Sequence, residues 1–272
     1  MIVALVDNGS IDAAAHRHLR AVAAALSTRV DTTVHAVSWK HSDRIAPAAL
    51  GGAPAWALAS FVRAMVALGQ REFVFVPFFI SAGGAIGLAL RNDLEELQRQ
   101  TGGFEFSFTA GLAAQDAIPA IAAARIRETI TAQSLRTPPV IVVDHGGPSA
   151  ASAALRDELA ARILVLLGDE IGPLAATSME GTHGPLLSDQ LTVPGFNRGD
   201  VVVAPLFLAP GRHAGPEGDV AQICRAAPGR CHRTRLVGNH PAVVEVLTAI
   251  LSHALGERRQ AAIPMEAGAY VS

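Results

Sequence analysis

The chain of 272 residues is poor in charge, in aromatic side chains and in cysteine. Charged residues make up 17% of it and the net charge is -2, whereas nucleic-acid-binding proteins normally carry a basic excess or stripe. Aromatic residues make up 5%, which leaves few rings for stacking on bases or sugars. Two cysteines are too few for a disulfide framework, so a reducing, cytoplasmic location is predicted.

Signals for secretion, membrane insertion and nucleotide binding are also lacking. The first strand begins without a basic segment before it, so no secretory leader is expected. Residues 73–90 carry no charge, but a proline and three glycines interrupt them, which favours a buried strand and a glycine-rich turn over a membrane helix. Gly-x-Gly-x-x-Gly follows neither opening strand of the two halves, so no dinucleotide cofactor is expected.

An internal repeat is the most informative feature that is present. Three blocks of the first half match three blocks of the second half in the same order: 3–9 with 140–146, 36–40 with 176–180, and 76–83 with 204–211. The join falls near Ser134–Pro139. The repeat predicts one lobe over 1–136, a second lobe over 137–260, and a tail over 261–272.

Each half alternates apolar strands with amphipathic or alanine-rich helical segments. Strands are predicted at 2–6, 33–38, 72–79, 104–109, 140–144, 174–179, 201–208 and 232–237. Helices are predicted at 12–27, 54–69, 86–100, 116–132, 150–168, 217–226 and 241–255. Strands that are continuous apolar runs are typical of parallel sheets buried on both faces. The expected fold class is therefore α/β, with two tandem, doubly wound parallel-sheet lobes.

Candidate metal ligands follow three strands of the second half. His145 follows the first strand, Glu180 the second and His213 the third by five residues. Because ligands of open parallel sheets bind outside the carboxyl ends of the strands, these three side chains are expected at one edge. Two imidazoles and one carboxylate suit a divalent transition metal and leave coordination positions open. Three unrelated polar residues at loop ends are the alternative.

The first half provides an internal comparison. Its matched positions hold Asn8, Lys40 and Ala85, none of which is a good metal ligand, and Lys40 would repel a cation. The first lobe is therefore predicted to be a silent copy that serves as a wall of the cleft.

Several motifs resemble those of the ATP-independent (class II) tetrapyrrole chelatases, and most of all the sirohydrochlorin cobalt- and ferrochelatases in their two-lobed form. They are the segment 205–213 followed by Asp219, the strand ending Asp144-His145-Gly146, the block Ser178-Met179-Glu180, and residues 236–241. Many two-lobed members carry their histidines in the first half, where this chain has Asn8.

This resemblance implies insertion of Fe2+ or Co2+ into sirohydrochlorin without ATP, with His145, Glu180 and His213 in metal delivery and proton acceptance. Fe2+, giving sirohaem, is slightly favoured over Co2+. Neither a cofactor beyond that metal nor a nucleic-acid or membrane partner is expected, and a monomer is plausible because two lobes can replace a dimer. Arg212 is the first candidate for contacts with the carboxylates of the macrocycle, with Arg198 behind it, although a solvated turn residue is the favoured alternative for Arg198. His183 is a candidate for a lid contact, and a surface histidine is the alternative. A zinc hydrolase with the same ligand set and a non-catalytic carrier of tetrapyrrole or metal remain alternatives.

Overall fold

The structure, a computed structural model, describes residues 1–80, 85–112, 116–147 and 149–261. Two separate sheets, each with all its strands parallel, organise the two halves. The first has the order β3-β2-β1-β4-β5 and the second β7-β6-β8-β9. Their strands are β1 (Ile2–Asp7), β2 (Val34–Ser38), β3 (Trp56–Ala57), β4 (Glu72–Pro77), β5 (Glu105–Phe108), β6 (Val140–Gly147), β7 (Leu174–Gly181), β8 (Asp200–Pro205) and β9 (Arg230–Arg233). The predicted fold class is confirmed.

Eight helices connect the strands within the described ranges. They are α1 (Ala13–Val30), α2 (Leu58–Ala67), α3 (Ala85–Gln100), α4 (Ala117–Ala132), α5 (Ala150–Leu167), α6 (Leu187–Gln190), α7 (Asp219–Ala226) and α8 (Pro241–Ala261). The helix after the opening strand of each half begins with a side-chain cap. Asp12 accepts from the backbone N–H of Ala14 at 2.8 Å, and Ser149 accepts from that of Ser152 at 3.3 Å. Each cap satisfies one amide that the first helical turn leaves without a partner.

The two halves share one large hydrophobic core, and each also has a smaller core of its own on the other face of its sheet. One layer of helices, α1, α4, α5 and α8, packs between the inner faces of both sheets. Arg125 of α4 donates to the carbonyl of Leu236 in the second half at 3.2 Å, and Arg258 of α8 donates to Ser107 of β5 at 2.8 Å. The last helix of each half therefore contacts the other half, although the chain passes from one sheet to the other near the predicted boundary.

Several predicted element bounds are wrong. β6 and β7 continue to Gly147 and Gly181, while β8 ends at Pro205, so His213 follows its strand by eight residues instead of five. β9 lies earlier than the predicted 232–237, and the short elements β3 and α6 were missed because neither has a pattern long enough to detect. α8 continues to Ala261, and residues 262–272 of the predicted tail lie outside the described residues.

No helix within the described ranges is both long and apolar enough to cross a membrane. The uncharged segment 73–90 is divided between β4 and the start of α3, and residues 81–84 within it lie outside the described part. The prediction of a buried strand at its beginning is confirmed, since four of the six residues of β4 are apolar and fully enclosed.

Candidate functional site

His145 and Glu180 meet at the carboxyl edge of the second sheet. The strand register pairs Gly146 of β6 with Glu180 of β7, and Nδ1 of His145 lies 3.5 Å from Oε1 of Glu180. Their side chains are 54% and 59% exposed, so a ligand can reach both. Gly146 has a φ of 79°, and a β-carbon there would lie 1.9 Å from the carbonyl oxygen of Glu180. Only glycine permits this close approach of the two strands.

His213 reaches the same place from the loop after β8. Its ring packs edge-on against that of His145, with 4.7 Å between the centroids and an interplanar angle of 90°. The side chain of His213 is only 15% exposed, because the loop folds over it. The predicted convergence of the two histidines therefore does occur, although the third ligand comes from a long loop rather than from a strand end.

Asp219, the first residue of α7, has a role that the sequence analysis missed. Its Oδ2 lies 2.8 Å from Nδ1 of His213, although the pair is not aligned as a hydrogen bond. A carboxylate beside Nδ1 favours the tautomer protonated on that atom, which leaves Nε2 of His213 free as a lone-pair donor. Asp219 follows the segment 205–213 in the motif that the sequence analysis noted, but its contact with His213 could be identified only from the folded loop.

Backbone contacts fix the loop that carries His213. The amides of Asp219 and Val220 donate to the carbonyls of Arg212 and His213, both at 3.1 Å. A β-carbon at Gly218 would lie 2.6 Å from each of those carbonyl oxygens, so a larger residue would push the loop away from α7. The position of His213 is therefore set by main-chain packing as well as by its own side chain.

A buried arginine braces the strand ends that carry His145 and Glu180. Arg156 of α5 is 3% exposed and donates to the hydroxyl of Ser178 and to the carbonyl of His183, at 2.6 and 3.0 Å. Ser178 in turn donates to Oδ1 of Asp144 at 2.6 Å. One guanidinium thus connects α5, β6, β7 and the loop after β7. Neither Arg156 nor Asp144 could be assigned this role from spacing alone.

The first lobe repeats this edge with different side chains. A β-carbon at Gly9 would lie 1.8 Å from the carbonyl oxygen of Lys40, as one at Gly146 would for Glu180. The register also pairs Asp7 with Ser38, as it pairs Asp144 with Ser178. These contacts support the predicted match of Asn8 to His145 and of Lys40 to Glu180. Ala85 begins α3, and its side chain lies outside the described part.

The remaining candidates fall at two different edges. Arg212 lies beside the site, 84% exposed, with Nε 3.5 Å from Oδ2 of Asp219. His183 lies in the exposed loop after β7, close to Glu180 in the chain. Arg198, by contrast, precedes the first residue of β8, and its backbone packs beside Gly229 at the start of β9. It is therefore at the amino edge of the parallel sheet, away from both histidines, and the structure does not bring it to the site.

The site is open rather than a closed ligand cage. Across the described residues, no group of three His, Cys, Asp or Glu side chains is already arranged to hold a metal ion. His145 contacts both Glu180 and His213, but the carboxylate and the second imidazole are not gathered around one point. This geometry differs from that of closed structural zinc sites, in which four protein ligands enclose the ion.

In the first lobe, Asp7 is a buried carboxyl group with an expected effect on stability. It is 7% exposed, and Oδ1 has no hydrogen-bond partner. Burial raises the pKa of Asp7 from 3.8 to about 6, against the opposing effect of hydrogen bonds to Ser38 and Gly9. Because the folded state favours the protonated form, this contribution to stability is complete below pH 3.8 and is lost as the pH rises through 6.

His16 of α1, which contacts Ser38, has a pKa lowered to about 4 by burial and by Arg20.

Asp7→Asn is therefore expected to raise the free energy of unfolding at pH 7 to 8. The raised pKa corresponds to a cost of up to about 3 kcal/mol for the buried charge. The gain should shrink towards pH 4, where Asp7 of the parent protein is already protonated. Urea unfolding at several pH values measures it, with exposed Asp43→Asn as the control. A gain that is equal at pH 4 and pH 8 would contradict the assignment.

Comparison with known proteins finds one family model that matches part of the chain. The CbiX family model matches residues 2–129. The match lies in the first half, whereas the motifs that the sequence analysis singled out lie in the second. A comparison with curated protein sequences finds no significant match.

Solved structures with the same fold cover almost the whole chain. SirB from Bacillus subtilis with Fe3+ has 11% identity and a TM-score of 0.67, over 96% of this chain and 98% of that one. A CbiX described as the terminal enzyme for biosynthesis of siroheme in denitrifying bacteria has 20% identity and a TM-score of 0.63, over 97% and 100%. DR2241 from Deinococcus radiodurans, a multi-domain protein similar to chelatases, has 21% identity and a TM-score of 0.58, over 91% and 54%. Residues 2–129 thus match the CbiX family model, and the chain as a whole has the fold of the solved CbiX and SirB structures.

Proposed function

We propose that this protein inserts a divalent metal ion into sirohydrochlorin without ATP. The observation that carries this proposal is the edge-on pair of His145 and His213 at 4.7 Å, with Glu180 against His145, at the carboxyl edge of the second sheet. The CbiX match over residues 2–129, the shared fold and the metals in the SirB structures, Fe3+ and cobalt, support the same reaction. Fe2+ is the proposed metal and Co2+ the alternative.

The site residues suit both requirements of the reaction, which are delivery of a metal ion and acceptance of protons. Insertion binds M2+ to the pyrrole nitrogens and releases two protons, so the protein must deliver a cation and accept protons. A neutral imidazole can do either, and here two lie in contact. Glu180 adds a negative charge that attracts the cation. An open arrangement of these three groups suits a metal that is a substrate, because a closed cage would hold the ion too firmly for release to the macrocycle.

The substrate would lie between the two lobes. The loops after β1 and β8 touch there, since Ser10 Oγ is 3.6 Å from the position of a β-carbon on Gly211. Arg212, next to His213, is the proposed partner for a carboxylate of the macrocycle, and His183 a second contact near Glu180. A monomeric, cytoplasmic protein without nucleic-acid or membrane partners stays a prediction.

One assay distinguishes this function from its alternatives. The purified protein is incubated anaerobically with sirohydrochlorin and either Fe2+ or Co2+, and the absorbance spectrum is followed. We expect catalytic conversion to the metallated spectrum, with a higher kcat/KM for Fe2+. A carrier would shift the spectrum in proportion to protein without turnover, and a zinc hydrolase would leave it unchanged. Either result would refute the proposal.

A further inference from the structure

Lys40 occupies the first-lobe position that Glu180 occupies in the second. The match rests on the close approach of Gly9 to Lys40 and of Gly146 to Glu180, as well as on the order of the repeat. At this one structural position a carboxylate is replaced by an ammonium group. The carboxyl edge of the first sheet therefore repels a metal cation and attracts an anion.

Neighbouring side chains hold Lys40 in place at this edge. Its Nζ lies 4.0 Å from the centroid of the Trp39 ring and 3.6 Å from Oδ2 of Asp93 on α3. The indole N–H of Trp39 donates to the same oxygen at 2.8 Å, so Asp93 is shared between two partners. The side chain of Lys40 is still 50% exposed, and it makes no hydrogen bond within the described residues. Its N–H donors therefore remain available to a ligand.

A second cation lies on the other side of α3. The guanidinium carbon of Arg91 lies 5.0 Å from the ring centroid of Phe108 at the end of β5. It lines an open pocket of about 560 Å³ whose other walls include Pro77, Phe79 and Leu88. Because β4 and β5 are parallel to β2, this pocket opens at the same edge of the sheet as Lys40. Apolar walls beside a cation suit a flat ring that carries acidic substituents.

The charges at the edges of the two lobes are complementary to such a ligand. The second lobe presents Glu180 and Asp219 near its histidines, and both would repel carboxylates, so that Arg212 is its one proposed carboxylate partner. The first lobe presents Lys40 and Arg91, and the two edges approach each other where Ser10 Oγ would lie 3.6 Å from a β-carbon on Gly211. A macrocycle between them can therefore direct its nitrogens to the histidines while most of its carboxylates face the first lobe.

We propose that Lys40 and Arg91 form a half-site that binds the carboxylates of the tetrapyrrole. Lys40, at the position that matches the candidate metal ligand Glu180, thus recognises acidic substituents instead of a metal ion. This inference rests on the proposed function for the identity of the ligand. It assigns to the first lobe a role in selecting highly carboxylated substrates, beyond that of a passive wall.

Equilibrium binding tests the half-site without any need for turnover. Uroporphyrin and coproporphyrin, which carries fewer carboxylates, are titrated against the full chain and followed by their fluorescence. Lys40→Gln and Arg91→Gln are each expected to raise the Kd for uroporphyrin about 3- to 10-fold, and that for coproporphyrin less. Lys40→Arg should restore most of the affinity. The Kd for Co2+ alone should not change.

Arg63→Gln, which removes an exposed cation of α2 in the same lobe, is the matched control and should bind both porphyrins as the parent does. Unchanged uroporphyrin affinity in the Lys40 and Arg91 variants would overturn the half-site, even if the protein inserts metal. Equal losses for both porphyrins would also overturn it, because they would indicate packing rather than charge recognition. Selective losses in a protein without insertion activity would support the half-site and refute only the proposed function.

Discussion

Replacing His213 by alanine is expected to lower the rate of metal insertion by about 100-fold or more. The change removes the imidazole that packs edge-on against His145 and leaves Asp219 paired only with Arg212. His145→Ala should have an effect of the same order, because the two rings act at one place. Initial rates of sirohydrochlorin metallation with Fe2+ and with Co2+ measure the loss, and titration with Co2+ should show the parallel loss of metal affinity.

The repeat supplies the control for this experiment. Asn8→Ala changes the first-lobe residue that matches His145, and it should leave the rate within about twofold because an amide side chain contributes neither a strong ligand nor a base. Thermal unfolding of Asn8→Ala and His145→Ala should resemble that of the parent protein, since the side chains of His145 and Asn8 lie at an open edge. If His145→Ala and His213→Ala were fully active, the site would have to be placed elsewhere.

Arg156→Met is expected to cost about 1 to 3 kcal/mol in the free energy of unfolding, because buried acceptors lose their donor. The substitution keeps most of the volume of the side chain but removes the donor to Ser178 and to the carbonyl of His183. Partly buried Asp144 would then lose the nearby positive charge, which lowers its pKa in the parent protein against the larger, opposite effect of burial. Urea unfolding measures the loss of stability.

Arg162→Met on the same helix provides the matched control. Arg162 pairs with Asp116, whose side chain is 97% exposed, and such surface pairs contribute little. We expect a change of less than about 1 kcal/mol. Equal losses of stability in the two variants would show that Arg156 does not brace the strand ends. Arg156→Lys keeps a charge but not the forked donors, so a partial loss is expected.

The main errors of the sequence analysis arose where long-range packing, rather than local pattern, determines the structure. Continuous apolar runs predicted seven of the nine strands within a few residues, because burial on both faces leaves a clear signal. The two-residue strand β3 has no such signal, and the true position of β9 depends on its pairing with β8. The exchange of α4 and α8 between the lobes was also missed, since their apolar faces do not specify which sheet they cover.

The sequence by itself determined the repeat and the parallel sheets, because continuous apolar strands and their spacing are encoded locally. It also predicted His145, Glu180 and His213 as the candidate site residues from their positions after the strands, and it predicted that the first lobe lacks this set. Only the tertiary structure decided that His213 is supported by Asp219, that Arg156 braces two strand ends, and that Arg198 lies at the wrong edge. Each of these depends on how a loop or a long side chain folds back over residues that are distant in the sequence, and local sequence patterns do not encode such contacts.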